Sequence, residues 1–233
     1  MLRLTTLVLL ASAGLAGCMT QPPAPMYRLD SGSPEIPERE RGAAVLLGPV
    51  QLADYLQHNA VLERLADGSL HGDESEARWA GSLKQDVDQL LLRHLAWRLD
   101  TQHLELSPAS EGFAHDVQVE VRITRLDSGS LQPAMLEAQW LLFDSNGKRG
   151  ASRLARLSEE HDGTTADQVR AQGVLLQRLS ELVADSIAPL LEKSPMTRRP
   201  TKPPANARDS SVIRPPPIRS IEPQRTDMEV FRF

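Results

Sequence analysis

Val117-Gln118-Val119-Glu120-Val121-Arg122-Ile123 puts an apolar side chain at every second position, and Leu136, Ala138, Trp140 and Leu142 do the same around Glu137 and Gln139. Successive side chains of an extended backbone point to opposite faces, so a period of two predicts strands with one buried face and one wet face. Asp127-Ser128-Gly129-Ser130, between the two runs, reads as a turn. Asn146-Gly147 follows, and both residues tolerate positive φ. That pair predicts a tight hairpin whose return strand runs from about Ser152 to Leu157.

Outward from these strands the period changes. Thr165 to Leu191 carries Leu175, Leu176, Leu179, Leu182, Val183, Ile187 and Leu190 as one broad stripe, which predicts a helix with Pro189 near its end. Upstream, Glu76 to about Leu99 shows Trp79, Leu83, Val87, Leu90, Leu91 and His94 at helical spacing. Leu92, Leu95 and Leu99 lie on another side, so this helix is expected to bury two faces, the second available to another copy of the chain. Ala44 to Leu47 is a short apolar run closed by Gly48-Pro49, which reads as a buried strand and its end. The order β-α-β-β-β-α predicts an α+β fold: a two-layer sandwich, its sheet antiparallel or mixed, with two long helices packed on one face.

The chain has 233 residues, 40% hydrophobic and 24% charged, with a formal charge of −5. There is apolar mass for one core, and no net positive charge of the kind that binds nucleic acid. Met1-Leu2-Arg3, an apolar stretch from Leu4 to Leu10 and then Ala11-Ser12-Ala13-Gly14 follow the pattern of a secretory signal. The lone cysteine closes that segment in Leu15-Ala16-Gly17-Cys18. This string resembles the bacterial lipobox, which implies cleavage after residue 17 and lipid on Cys18. Met19 stands where such proteins carry an aspartate for inner-membrane retention, which implies the outer membrane, facing the periplasm. Residues 18–42 read as a Pro-rich tether. Residues 43–193 read as the folded domain, with 14 basic against 23 acidic side chains. Residues 194–233 read as a disordered tail, with eight prolines and eight basic against four acidic residues.

Reactive chemistry is hard to find. No nucleophile elbow, zinc-protease helix, phosphate loop or Cys-x-x-Cys occurs, and the six histidines show no i,i+4 pair. His94 reads as a partly buried structural histidine, and His71 before Gly72-Asp73-Glu74 as part of a polar loop. No metal, cofactor or catalytic residue is assigned, and a non-enzyme is expected. Glu229-Val230-Phe231-Arg232-Phe233 alternates in apolar character and suits docking to a partner's sheet edge.

Leu46-Leu47-Gly48-Pro49-Val50, Asp54-Tyr55-Leu56, Leu62-Glu63-Arg64 and Arg78-Trp79-Ala80 with Leu83 together resemble the PqiC-like family. Tyr27-Arg28-Leu29 is similar to the family's entry motif and Leu136-x-Ala138-x-Trp140 to its middle strand. Ala53 and His58-Asn59 depart from the family pattern. The resemblance implies an auxiliary lipoprotein of an ABC-type system that moves lipid between membranes. Its expected partner is an MCE-domain protein, docked at a surface that includes Tyr55 and Arg78. A lipoprotein that anchors cell-wall machinery, and a periplasmic hydrolase with a dispersed site, are the alternatives from other classes.

Overall fold

The alternating run at Val117–Ile123 becomes the centre of a seven-stranded mixed sheet. The computed structural model describes residues 23–29, 32, 34–38 and 42–191. Among these the order is β1 (Met26–Tyr27), β2 (Val45–Leu52), a 3-10 turn (Asp54–Gln57), β3 (Glu63–Arg64), β4 (Leu70–His71) and β5 (Arg78–Trp79). Then come α1 (Leu83–Leu99), β6 (Leu104–Leu106), β7 (Val117–Gly129), β8 (Gln132–Asp144), β9 (Arg149–Glu159) and α2 (Thr165–Leu191). Strands β7, β8 and β9 form an antiparallel meander. On its other edge β7 takes β2 in parallel along Val117–Ile123 and, further on, β3 opposite Ser128. β2 also pairs β6 in parallel, because α1 carries the chain back over the sheet as a crossover.

One face of the meander is dry: Val117, Val119, Val121 and Ile123 of β7 and Ala134, Leu136, Ala138, Trp140 and Leu142 of β8 are all buried. Both helices cover that face. α2 contributes Val169, Leu175, Leu176, Leu179, Val183 and Ile187, and α1 contributes Leu83, Val87, Leu90, Leu91 and Leu95. The opposite face is solvated and laced by cross-strand polar pairs such as Arg156–Glu137 and Arg122–Gln51. The α+β reading with two helices on one face therefore holds, and the sheet is the mixed alternative.

Four local expectations change. The first helix starts at Leu83, not Glu76, because Ser82 caps it by accepting the Gln85 amide. Arg78-Trp79 is instead strand β5, paired in parallel with Met26–Tyr27, and Trp79 is buried from there. Gly48-Pro49 does not end β2. Gly48, at φ +115°, absorbs a bulge, after which pairing resumes with Val50 opposite Val121. Asp127-Ser128-Gly129 is not a turn but the end of β7, and the hairpin turns at residues 130 and 131. Finally, the second side of α1 is spent within the fold: Leu95 is buried, and Leu92 and Leu99 pack against the same core. That side offers no apolar face to another copy.

Within the stretch read as a tether, residues 26–29 join the domain. Leu29 is buried, and Arg28 donates to Asp86 in the first turn of α1 at 2.7 Å. Cys18, residues 194–233 and the Glu229–Phe233 stretch lie outside the described residues.

Gly129 marks where β3 crosses β7 most closely. A methyl group built there overlaps the Arg64 carbonyl oxygen, a backbone atom that cannot swing aside. Gly129→Ala is expected to cost about 1–3 kcal/mol through forced separation of the strands, read as a drop of several degrees in Tm by thermal unfolding.

Candidate functional site

A cleft of about 960 Å³ opens among the described residues, at the upper end of the size range of ligand pockets. The sequence builds it from five short pieces. The end of β2 supplies Val50, Gln51 and Leu52, and the 3-10 turn supplies Asp54, Leu56 and Gln57. β5 supplies Arg78 and Trp79, the start of α1 supplies Ser82, Leu83 and Lys84, and β1 supplies Met26. Its floor is apolar, since Val50, Leu56, Trp79 and Leu83 are core residues whose surfaces reach the cleft. Along Val50–Leu52, β2 is paired with β7 on one side only, because β6 pairs no further than Leu47.

Arg78 sits on the lip. Among the described residues its guanidinium meets only the sulfur of Met26, at 3.5 Å. Met26 itself is 60% exposed, an apolar side chain held out over the opening. The second cation, Lys84, is taken by Asp88 one turn on, at 2.5 Å. The lip thus has one cation whose charge is uncommitted.

Tyr55 belongs to a different structure behind the cleft. Its hydroxyl donates to Asp127 Oδ2 at 2.9 Å and accepts the Leu126 amide at 3.1 Å. Asp127 is 1% exposed and holds three further hydrogen bonds, two from Arg64 (2.9 and 2.7 Å) and one from Arg125 (3.0 Å). Burial by itself raises a carboxyl pKa, but the bonds from Arg64, Tyr55 and Arg125 outweigh it and hold Asp127 below its ordinary value. Desolvation, reinforced by the Asp127 charge, pushes the Tyr55 phenol up to about 12. This network bolts the 3-10 turn and β3 onto β7, so it fixes one wall of the cleft. Tyr55 and Arg78 are therefore not one patch: Arg78 faces the opening and Tyr55 holds the wall from inside.

The sequence offers Asp127 only within a turn signature, Arg64 only within the Leu62-Glu63-Arg64 motif, and gives no sign of Arg125 as their neighbour. Arg64, the partner of Asp127, lies 63 residues away, where no local pattern links the two. His94 is buried on α1, and desolvation lowers its pKa, which favours the neutral ring. Among the described residues no group of three or more His, Cys, Asp or Glu can hold a metal ion, and no helix is long and apolar enough to cross a membrane.

Residues 27–184 match the family described as ABC-type transport auxiliary lipoprotein component. No curated protein matches the chain. Among solved structures, one of an uncharacterized protein superposes with a TM-score of 0.59 at 17% identity, covering 71% of this chain and 99% of that one. A Xanthomonas campestris protein of the DUF330 family superposes with a TM-score of 0.59 at 16% identity, covering 73% of this chain and 98% of that one. At such identities the likeness is one of fold.

Proposed function

The chain belongs to the family of ABC-type transport auxiliary lipoprotein components, and from that premise we propose that it is a non-enzymatic docking subunit of an MCE-type system moving lipid between membranes. The single observation that carries this reading is the family match over residues 27–184. Lipid on Cys18 holds the domain at the periplasmic face of the outer membrane, consistent with Leu15-Ala16-Gly17-Cys18 and with Met19 after it. The periplasm-spanning MCE component docks around the cleft lip, where Arg78 supplies the contact charge. Tyr55 serves the same surface indirectly, by fixing the turn that forms the wall.

An affinity-tagged full chain, purified from intact envelopes, is expected to bring down the MCE component with its permease and ATPase. Arg78→Glu reverses an exposed charge without touching the core, so the fold survives. It is expected to weaken recovery of the MCE component about tenfold, the equivalent of about 1.4 kcal/mol at a docking surface. Wild-type chain that brings down no MCE component overturns the reading.

A further inference from the structure

We propose that the partner is held by strand addition: an extended segment of it, apolar at alternate positions and bearing a carboxylate, pairs with the open edge of β2 at Val50–Leu52. This rests on the reading that the MCE component docks at the cleft lip, and it states by which groups that component is gripped.

The backbone supplies the first reason. Ala53 donates its amide to the Ile123 carbonyl of β7 at 2.9 Å, and an extended strand turns the amides and carbonyls of successive residues to opposite sides. Gln51 and Ala53 therefore face β7, and Val50 and Leu52 face away from it. Upstream that side is filled: Val45 donates to the His103 carbonyl at 3.0 Å and Leu47 accepts the Ser107 amide at 2.8 Å. Pairing with β6 ends at Leu47, and past the Gly48 bulge the side is bare. Among the described residues nothing there bonds to the amide or carbonyl of Val50 or Leu52. Val50 is only 5% exposed, yet it lines the cleft. Roughly nine in ten or more of buried backbone polar groups are paired, so this edge reads as a ladder lacking its outer strand.

The surroundings state what kind of strand fits. Its side chains alternate between two faces, and those that enter the floor meet Leu56, Trp79 and Leu83 and are therefore apolar. Around the opening Lys84 is paired with Asp88, and Asp54 accepts from the Gln57 side chain at 3.4 Å. Arg78 is left for the carboxylate of the incoming segment. Strand β9 is also an open edge, but Arg149, Arg153 and Arg156 stand along it and it is wet for most of its length. That is the charged form in which edges are kept from pairing, whereas the β2 edge is apolar and recessed. A lipid has no alternating row of donors and acceptors to offer Val50 and Leu52; a peptide backbone has one.

Amide hydrogen exchange on the full chain in detergent, with and without the purified MCE component, tests this. Binding is expected to slow exchange at the Val50 and Leu52 amides about tenfold or more, while the Gln51 amide, already turned to β7, keeps its rate. Leu52→Pro removes an amide that the domain itself does not use and that an added strand needs. It is expected to cut recovery of the MCE component about tenfold. A complex in which Val50 and Leu52 exchange as in the free chain overturns strand addition and leaves docking standing. A folded Leu52→Pro chain that recovers the MCE component as wild type does has the same meaning. No complex at all overturns docking and strand addition together. Slower exchange without the MCE component, on adding phosphatidylethanolamine–phosphatidylglycerol to the detergent or on raising the concentration of the chain, assigns the edge to lipid or to a second copy. Either result overturns the proposal.

Discussion

Asp127→Ala is expected to destabilise the domain by about 3 kcal/mol. Four hydrogen bonds converge on this carboxylate from Tyr55, Arg64 and Arg125. Removing it strands the Tyr55 hydroxyl and two guanidinium groups against one another. Arg64 and Arg125 keep 21% and 29% of their side chains exposed, so water partly rescues them and the cost falls at the low end of the range for a broken buried pair. Domains of this kind hold only about 5–15 kcal/mol in total, so the loss is a sizeable share. Urea titration measures it. Tyr55→Phe should cost less in the Asp127→Ala background than in the wild type, because only the bond accepted from the Leu126 amide is then left to lose.

The same network sets both flanks of the pH profile. The Asp127 pKa is lowered by folding, so its contribution is complete above the ordinary carboxylate range and is lost as pH falls through the folded value. The Tyr55 pKa is raised to about 12, so its contribution is complete below the ordinary phenol value of about 10 and disappears as pH rises toward 12. Tyr55→Phe should therefore flatten the alkaline flank between those values and weaken the acid flank only in part, because Arg64 and Arg125 still hold the Asp127 carboxyl down. An alkaline flank identical in wild type and Tyr55→Phe contradicts the assignment.

Long elements were legible because burial of one face leaves a period behind. α2 runs Thr165–Leu191 as its leucines demand, and β7 and β8 follow their alternation. Short elements leave no such trace. Two residues of β5 carry no period, and Trp79 lies four positions before Leu83, so it joins the helical stripe by coincidence of spacing. The cap at Ser82 was the local signal that separates them. Gly48-Pro49 reads as a terminator because proline lacks an amide; β2 nonetheless continues, with the irregularity taken up as a bulge. The cleft was legible only in part. Arg78 was singled out and does stand on the lip, but its neighbours Met26, Leu52 and Lys84 come from pieces scattered through the first 84 residues. Asp127 was hidden for the same reason, since a buried acid is explained only by partners remote in sequence.

Cys18→Ser is expected to abolish palmitate incorporation and remove the chain from the outer-membrane fraction. Each buried methylene is worth about 0.8 kcal/mol, and one acyl chain alone gives only marginal, reversible binding, with a partition constant on the order of 10⁴ M⁻¹. The proposed lipobox processing would add several chains, whose contributions sum to anchorage that no contact at the cleft lip is expected to replace. Serine keeps the size and loses the thiol nucleophile that takes the lipid, so the folded domain is unaffected while the tether is cut. Recovery of the MCE component should then fall further than with Arg78→Glu, because the variant loses the effective concentration that the membrane provides as well as one contact. The apolar stretch from Leu4 to Leu10 is too short to span a bilayer, so on the proposed anchorage an uncleaved signal is not expected to substitute for the lipid. Palmitate still incorporated into Cys18→Ser, or unchanged fractionation, means that the chain is held by something other than this sulfur.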